Sequence, residues 1–463
     1  MIERINVDEL MFQGFNPFYG GSTCGRPYEY CETFPSVHIP EQFGNEDEYL
    51  SFMVYEAAKR KYAESQNGTI GKRIEEELLR LKQKHLAGYI LFIWDIISYG
   101  KETLDSPLFG PGNGNECCSV VNYLLGITAI DPIEYNLPFE KFVNGKTNHV
   151  PTIDIHIDSD SHEKFKSLVI QRYGKRIARQ IWPKETTKNN TEIPENILIH
   201  RLIIADMDVD FYIPVEERLN EKTNTIERYV VEHDRDLIGK GVVEQRIVLD
   251  KDLSLLKCLL CSPFGMMDKD SIPLDDEDTY RAIWNEEVDG VSYMSNSRFK
   301  DAAKKCCPNS ISELAILIAL SMPMRQKVLE EYVRRHVEKK AVNYFIPEMS
   351  SVLDETHGLL LYMEQLMLLT QIVSGMDGAD IESMRKALMR RRREESMNTY
   401  EPLFVDGGRG NGYPEHLLKD LYQSFWKYAA HTFSKCHYIC LATTAYKIIY
   451  LSRRMSKSAI ISW

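Results

Sequence analysis

Apolar residues in the segment 45–104 recur three and four positions apart, as at Ile74, Leu78 and Leu81, between charged residues. Residues at this spacing share one face of a helix, so the pattern predicts amphipathic helices with one solvated side. The same periodicity returns from Asp275 onward, interrupted by prolines and a glycine-rich turn. The C-terminal part of the chain is therefore predicted to be mostly helical.

Strand patterns lie between these helical regions, at Thr152–Asp158 and Leu202–Val209. The polar stretch Lys184–Glu192 separates them and predicts a loop. A glycine-rich turn at Gly110–Gly114 precedes an apolar run, Val120–Ile127, which predicts a further helix. Strands followed by a long series of helices indicate the α+β fold class, with helices segregated toward the C-terminus.

The composition fits a large folded protein: the chain has 463 residues, 43% of them hydrophobic and 27% charged. The longest apolar runs, Ile90–Ile97 and Leu359–Leu369, contain acidic residues and are shorter than the ~20 residues that span a bilayer. The N-terminus carries acids where a secretory signal would be basic and apolar. We therefore expect a cytoplasmic protein with no membrane partner.

Charge is unevenly distributed along the chain. The net charge is −12, yet residues 301–463 hold 22 Lys and Arg against 18 Asp and Glu, so the preceding part is strongly acidic. A mildly basic C-terminal third permits a nucleic-acid-binding face. The ten cysteines include adjacent pairs and do not follow the pattern of a small disulfide-rich domain, so free thiols are expected.

The turn GPGNGNECCS (Gly110–Ser119) leads directly into a predicted helix. Glycines in such a position let backbone N–H groups approach a phosphate. Taken alone, the pattern is more typical of a tight turn with a helix cap. The neighbouring motifs favour the phosphate-binding interpretation.

Those motifs are YILFIWDII (Tyr89–Ile97), LLGITAIDPIEYNLPFEKFVN (Leu124–Asn144) and VPTIDIHID (Val150–Asp158). In order and spacing they resemble the palm of the family C bacterial replicative DNA polymerases, the alpha subunit of DNA polymerase III. That family has the patterns YFLIVWD, GPGRGSAAGS, LLGITxIDPxxYxLLFERFLN and MPDIDIDF.

The resemblance continues in the C-terminal half in the same order. IPLDDEDTYRAIWNEEVDGV (Ile272–Val291) is similar to the family's entry into the fingers, and ETHGLLLYMEQLM (Glu355–Met367) to its TYGxxxYQEQVM. DIESMRKAL (Asp380–Leu388) resembles EADLLRRAM, and FSKCH (Phe433–His437) resembles FNKSH. Matches at so many ordered points argue against chance.

The resemblance implies a nucleotidyltransferase-type palm sheet with helices, a vestigial thumb and a largely helical fingers domain. From the length we expect the family's phosphoesterase, clamp-binding and oligonucleotide-binding domains to be absent. The implied divisions are a loop-rich segment 1–44, a first palm part 45–172, a shortened thumb-like insertion 173–200, a second palm part 201–271 and fingers 272–463.

Nucleotidyl transfer uses two Mg²⁺ ions about 3.5–4 Å apart, held by carboxylates. The family's carboxylate pair falls on Asp154 and His156. Its third carboxylate, which the family carries on a strand, falls on Leu259 within KCLLCSP. His is a poor Mg²⁺ ligand but a good Zn²⁺ or Mn²⁺ ligand. Alternate residues of a strand share a face, so Asp154, His156 and Asp158 form a candidate metal row, either a working site or a relic.

Phosphate-binding positions follow from the same resemblance, although Glu116 replaces a small residue of the glycine-rich loop and would repel a triphosphate. The run Arg390–Arg393 reads either as a solvated helix face or as a contact to the DNA backbone. The implied nucleotide- or phosphate-binding residues are Gly112, Gly114, Ser119, Lys257, Arg385, Lys386, Lys435 and His437.

Two other groups of residues are alternative candidates for metal binding. Asp206, Asp208 and Asp210 alternate, and on a strand they would form either an acidic metal-binding row or a charged, protected edge. Cys258 and Cys261 have zinc-type spacing but lack a second pair at regular spacing, so buried thiols are favoured.

Three functions remain. The favoured one is a non-catalytic or accessory polymerase paralogue, a pseudoenzyme that binds DNA or nucleotide in replication or repair, with other replication or repair proteins as possible partners. The second is an active DNA-directed DNA polymerase with an altered metal site, which would need Mg²⁺ or Mn²⁺, whereas the other two need no metal. The third is a protein-interaction module built on a polymerase scaffold.

Overall fold

The computed structural model describes nine stretches of the chain. Most of the predicted loop-rich segment and of the thumb-like insertion falls outside these described residues. Within them, Arg334–Thr432 forms one compact unit, and the residues before Arg334 together with those from Phe433 onward form the other. The described stretches are residues 34–62, 67–145, 150–180, 199–220, 225–230, 242–262, 268–288, 290–339 and 342–454.

The larger unit contains a mixed six-stranded sheet with the order β1-β6-β3-β2-β5-β4. β1 runs parallel to β6 and β2 runs parallel to β5, whereas β3 is antiparallel to both β6 and β2, and β4 is antiparallel to β5. The strands are β1 Ile155–Ile157, β2 Ile177–Gln180, β3 Ile199–Ile204, β4 Val215–Asn220, β5 Thr225–Val230 and β6 Val243–Leu249.

Both predicted strands are shorter or shifted in the structure. The first covers only Ile155–Ile157, because the side chain of Asp158 accepts a hydrogen bond from the backbone N–H of Ser161 and caps the next helix. The second ends at Ile204 rather than Val209. Asp206 then accepts from the backbone N–H of Met207, which favours a turn over a continued strand.

The helices predicted for 45–104 are confirmed as three segments, and all the elements in the described residues after β6 are helices. The helix Ile311–Leu320 packs against the long helix Lys435–Ser452, which is buried along most of its length. The helix Gln326–Glu338 belongs partly to each unit, because the division falls at Arg334. The other main helices of the larger unit are Glu46–Lys61, Asn67–Gln83, Ala87–Thr103, Val120–Leu124, Ser159–Tyr173, Lys251–Leu260, Glu277–Trp284, Ser297–Cys306, Ile311–Leu320 and Lys435–Ser452.

The smaller unit is helical, and its core is built around Leu366, Phe404 and Tyr422, all fully buried. Its helices are Ser350–Leu353, Met363–Ser374, Gly378–Met389, Arg393–Glu395, Glu401–Gly410 and Glu415–Tyr428. The α+β class is thus confirmed, while the palm and fingers divisions stay predictions. No helix of the described ranges is both long and apolar enough to cross a membrane.

A buried carboxylate joins the helix Asn67–Gln83 to the glycine-rich segment. Glu77 has no solvent exposure and pairs with Arg73, with Nε and Oε1 2.7 Å apart. Its oxygens also accept hydrogen bonds from the hydroxyl of Ser119 and the backbone N–H groups of Val120 and Val121. One side chain therefore satisfies the otherwise unpaired N–H groups at the start of the helix Val120–Leu124.

We expect Glu77→Ala to lower the free energy of unfolding by about 3 kcal/mol, since it leaves the partly buried guanidinium of Arg73 without its carboxylate partner and two backbone donors without their acceptor. Urea denaturation followed by circular dichroism measures this loss. Glu75→Ala, on the exposed side of the same helix, is the control and should change stability by less than about 0.5 kcal/mol. Equal effects of the two substitutions would contradict the anchoring role of Glu77.

Candidate functional site

The glycine-rich loop is tightly packed at Gly112. Its φ of +101° suits glycine, and a Cβ there would lie 2.3 Å from the sulfur of Cys117. A short 3₁₀ helix, Asn115–Cys118, follows the loop and leads into the helix Val120–Leu124. That helix ends three residues before the predicted Ile127, where Gly126 adopts a φ of +70°.

Glu116 occupies the N–H groups of this loop. Its Oε1 accepts hydrogen bonds from the backbone N–H groups of Asn113 (2.7 Å) and Gly114 (2.8 Å), and the residue is 3% exposed. Burial and the nearby charge of Asp154 raise the pKa of the Glu116 carboxyl. A carboxylate of the chain itself thus sits where the resemblance implies a phosphate.

Ser119, a second predicted phosphate ligand, is also engaged within the protein. Its hydroxyl donates to Glu77 and accepts from the backbone N–H of Asn122. Gly114 contributes its N–H to Glu116, as described above. The loop therefore has the shape of an anion cradle, but the N–H groups of Asn113 and Gly114 and the hydroxyl of Ser119 bind carboxylates of the chain.

The pairing of β1 with β6 brings a cation to Asp154. Ile155 is the register partner of Ile247, so the preceding residues, Asp154 and Arg246, lie side by side on parallel strands. Arg246 Nε is 3.0 Å from Asp154 Oδ1 in an ion pair that is largely buried. The carboxylate that the resemblance makes catalytic is therefore neutralised by a guanidinium.

His156 pairs with a carboxylate that directly follows β6. Its Nδ1 lies 3.0 Å from Oδ2 of Asp250, while Oδ1 of Asp250 caps the helix Lys251–Leu260. Burial alone would lower the pKa of His156, but the hydrogen bond and charge of Asp250 outweigh it and raise this pKa. Against the effect of burial, His156 lowers the pKa of Asp250, so both shifts indicate an imidazolium–carboxylate pair.

Asp158, the third member of the predicted metal row, serves a structural role. Its Oδ1 is 2.9 Å from Nζ of Lys257, and its Oδ2 accepts from the backbone N–H of Leu108 at 2.8 Å. Burial opposes ionisation of Asp158, but these hydrogen bonds lower its pKa overall. Lys257, predicted to bind phosphate, thus already has a buried carboxylate partner.

The segment matched to the family's third carboxylate is helical rather than extended. Leu253, Leu256 and Leu259 are buried at helical spacing in Lys251–Leu260, and Asp250 caps the first turn. An amphipathic period with an N-cap outweighs the strand expected by analogy. Leu259 therefore packs in the core and presents no group to a metal.

The residues present do not fit a two-metal site. Asp154, His156 and Asp158 are bound to Arg246, Asp250 and Lys257, respectively. Across the ranges that the structure describes, no group of three or more His, Cys, Asp or Glu side chains is placed to hold a metal ion.

His437 belongs to the same site, although it comes from the helix Lys435–Ser452. Its Nδ1 lies 2.5 Å from Oδ1 and 3.1 Å from the carbonyl oxygen of Asn113. Burial lowers the pKa of His437 to about 4, so the imidazole is neutral at pH 7 and Nδ1–H donates to Asn113. Lys435, predicted as a phosphate contact, is only 5% exposed.

The predicted cations of the smaller unit fall into two groups. Arg385 holds Glu382 in a two-pronged pair (2.6 and 2.7 Å), and Lys386 contacts the same carboxylate at 3.3 Å. These two cations are therefore compensated on their own helix. To bind phosphate as predicted, Arg385 and Lys386 would have to exchange the carboxylate of Glu382 for the phosphate.

Arg390, Arg391 and Arg392 lie in an exposed turn and Arg393 begins the next helix, so the helix-face alternative is wrong for the first three. Arg391 has a φ of +54° and donates to the carbonyl of Trp426, and Arg392 pairs with Glu395. The side chains of Arg390 and Arg393 form no ion pair with any residue the structure describes. They remain available to an external anion.

The two remaining metal alternatives are not assembled. Asp206 accepts from the hydroxyl of Tyr212, Asp208 lies 3.8 Å from Lys175, and Asp210 pairs with Arg228, so the three acids bind separate partners. The sequence favours buried thiols at Cys258 and Cys261, but both are exposed. By contrast, Cys117, Cys436 and Cys440 are buried free cysteines.

Two models of known protein families match the chain. The family model of the bacterial DNA polymerase III alpha NTPase domain matches residues 48–197, and that of the alpha subunit finger domain matches residues 262–412. Together they cover most of the chain in the expected order. The chain belongs to the bacterial DNA polymerase III alpha family.

Individual relatives agree with this assignment. The chain is 25% identical to the DNA polymerase III subunit alpha of Aquifex aeolicus over 498 residues, covering 88% of the chain and 42% of that relative. The corresponding values are 24%, 94% and 44% for Halalkalibacterium halodurans, and 24%, 97% and 47% for Staphylococcus epidermidis. The chain thus spans less than half the length of these relatives.

Sequence reasoning missed four members of this polymerase-like site: Glu77, Arg246, Asp250 and the internal role of Glu116. Asp250 carries a detectable signal, since an Asp at the end of a strand pattern and before an apolar period is a helix cap. The other three depend on which strands and helices become neighbours.

We expect acid to destabilise the fold through His437. Its pKa is about 4 in the folded protein, and that of an unfolded chain is about 6.5, so between these values only the unfolded state takes up a proton. The free energy of unfolding should therefore fall by up to about 3 kcal/mol as the pH is lowered through this window.

Urea denaturation at several pH values between about 7 and 4 measures the effect. His437→Gln keeps a donor for Asn113 without titrating, so its stability should depend less on pH than that of the unmodified protein. His38→Gln, at an exposed position, is the control. A pH profile that is the same for His437→Gln and the unmodified protein would rule out this role.

Proposed function

We propose that this chain is a non-catalytic or accessory member of the DNA polymerase III alpha family that binds DNA in replication or repair without extending a primer. The observation that carries the proposal is the ion pair between Asp154 and Arg246, with Nε and Oδ1 3.0 Å apart. A metal ion would have to displace a guanidinium that stabilises the carboxylate from the neighbouring strand.

The surroundings of Asp154 support the same conclusion. His156 stands at the second carboxylate position and binds Asp250, and Glu116 binds the loop N–H groups that a triphosphate would use. Phosphoryl transfer depends on positioned metals and on stabilised negative charge. Side chains of the protein already occupy the positions that the metal ions and the triphosphate would need.

We expect no primer extension by the purified chain with either Mg²⁺ or Mn²⁺. A gel assay with a labelled primer–template measures this, and the Aquifex aeolicus DNA polymerase III subunit alpha serves as the active comparison. Extension by the unmodified chain that disappears in Asp154→Ala would overturn the proposal. It would favour an active polymerase with an altered metal site.

DNA binding in the proposed function rests on Arg390 and Arg393, which are exposed and lie outside the internal ion pairs described above. Each lysine or arginine that neutralises a phosphate adds about one unit to the slope of log affinity against log salt. Arg390→Ala/Arg393→Ala should therefore weaken binding to any DNA sequence and reduce this slope by about two units.

Fluorescence anisotropy at several salt concentrations measures both quantities. The matched control, Arg409→Ala/Lys419→Ala, removes the same charge from two exposed residues that share Glu415. Asp154→Ala should bind DNA like the unmodified protein. If the unmodified chain binds no DNA even at low salt, the proposal fails and a protein-interaction role becomes the better explanation.

A further inference from the structure

Four lysines from separate elements of the larger unit lie in two pairs. Lys61 ends the helix Glu46–Lys61, and Lys101 lies in the last turn of Ala87–Thr103. Lys269 begins a short 3₁₀ helix, and Lys447 projects from Lys435–Ser452. None of them belongs to the site described above.

The first two lysines meet at the end of the helix Val120–Leu124. Lys61 Nζ donates to the carbonyl of Tyr123 at 2.7 Å, and the same carbonyl accepts from the N–H of Gly126 at 3.1 Å. Lys101 Nζ lies 3.9 Å from the position that a Cβ of Gly126 would take. Both ammonium groups therefore lie beside Gly126.

The other two lysines share one carboxylate. Asp270 Oδ1 is 3.1 Å from Nζ of Lys269 and 3.9 Å from Nζ of Lys447. The lysine side chains are 23% and 12% exposed, whereas that of Asp270 is 61% exposed. The group is thus open to solvent, with Lys447 its most buried member.

The two pairs are close enough to interact electrostatically. Burial lowers the pKa of Lys61 and of Lys101, and in both cases the charge of Lys269 lowers it further while Asp270 acts in the opposite direction. Burial and Lys269 together lower the pKa of Lys447 to about 8. The charges of Lys269 and Asp270 therefore act on each of the other three lysines.

Apart from Asp270, the carboxylates of Asp131 and Asp268 act on this group, and both are already bound. Asp131 accepts hydrogen bonds from the hydroxyl of Tyr62 at 2.9 Å and from the backbone N–H of Ile133 at 2.8 Å, and Asp268 accepts one from the backbone N–H of Asp270 at 3.1 Å. Four lysines against three carboxylates leave an excess of one positive charge, which a phosphate group would offset.

We propose that Lys61, Lys101, Lys269 and Lys447 form a binding site for phosphate groups, either those of a nucleic-acid strand or those of a free polyphosphate. Lysine ammonium groups bind phosphate as point charges without fixed geometry, which suits four flexible side chains from four elements. This inference does not depend on Arg390 and Arg393, because the two sets of cations lie in different compact units.

Two probes test the site: sodium tripolyphosphate, by titration calorimetry, and a labelled single-stranded 16-mer, by anisotropy at low salt. Lys101→Met/Lys447→Met should weaken tripolyphosphate binding by about tenfold or more, as expected when charged hydrogen bonds are lost. Asp270→Asn removes the central carboxylate and should strengthen binding. A gain of affinity cannot arise from misfolding, so this variant keeps the test valid if the double variant is unstable.

The charge-matched control is Lys304→Met/Lys305→Met, two exposed lysines of the helix Ser297–Cys306, which should bind both probes like the unmodified protein. Effects of the cluster variants on both probes would identify a nucleic-acid strand as the ligand. An effect on tripolyphosphate alone would identify a free polyphosphate. The proposal is overturned if the cluster variants bind tripolyphosphate like the control, or if Asp270→Asn weakens binding.

The outcome is separable from that of the proposed function. Tripolyphosphate binding that depends on the cluster would stand even if the chain binds no DNA. Conversely, DNA binding that is lost in Arg390→Ala/Arg393→Ala and unchanged in Lys101→Met/Lys447→Met would support the proposed function and argue against a nucleic-acid ligand at the lysines.

Discussion

The parallel pairing of β1 with β6 determines the chemistry of the site. A parallel register places equivalent positions of the two strands side by side, so Asp154 lies beside Arg246, and His156 lies beside Val248, two residues before Asp250. Asp154 thereby meets Arg246, and His156 meets Asp250. A shift of one residue would turn the side chains to the opposite face and separate both pairs.

In the glycine-rich loop, side chains of the chain likewise occupy the place of a ligand, here as anions that accept hydrogen bonds from N–H groups. Backbone N–H groups in such a loop must be satisfied, and a bound phosphate is one way to do so. Here Glu116 and Glu77 supply carboxylate oxygens instead, and both side chains are buried. The loop is therefore stable without a ligand, and an incoming anion would have to compete with these internal hydrogen bonds.

Much of this arrangement could be predicted from the sequence, because motifs fix local structure. The helices of 45–104, the α+β class and the loss of a carboxylate at His156 all follow from residue patterns and the family resemblance. The helix Lys251–Leu260 was missed because the analogy to a strand was preferred over the leucine period and the cap at Asp250. Arg246 could not be predicted, because its role requires knowing that β6 pairs with β1.

The charges of the chain also fit the proposal that this member of the family does not catalyse nucleotidyl transfer. A buried row of carboxylates without metals is unstable through mutual repulsion, so losing the metals requires either losing the acids or supplying cations. Both features are present here: His156 and Leu259 stand where the resemblance implies acids, and Arg246 and Lys257 pair with Asp154 and Asp158. Each pair stabilises the fold in the absence of a ligand. A single reversion to aspartate at position 156 would place a second carboxylate beside Asp250, Asp154 and Glu116 without a new cation, so it would add repulsion before it could recreate a metal site.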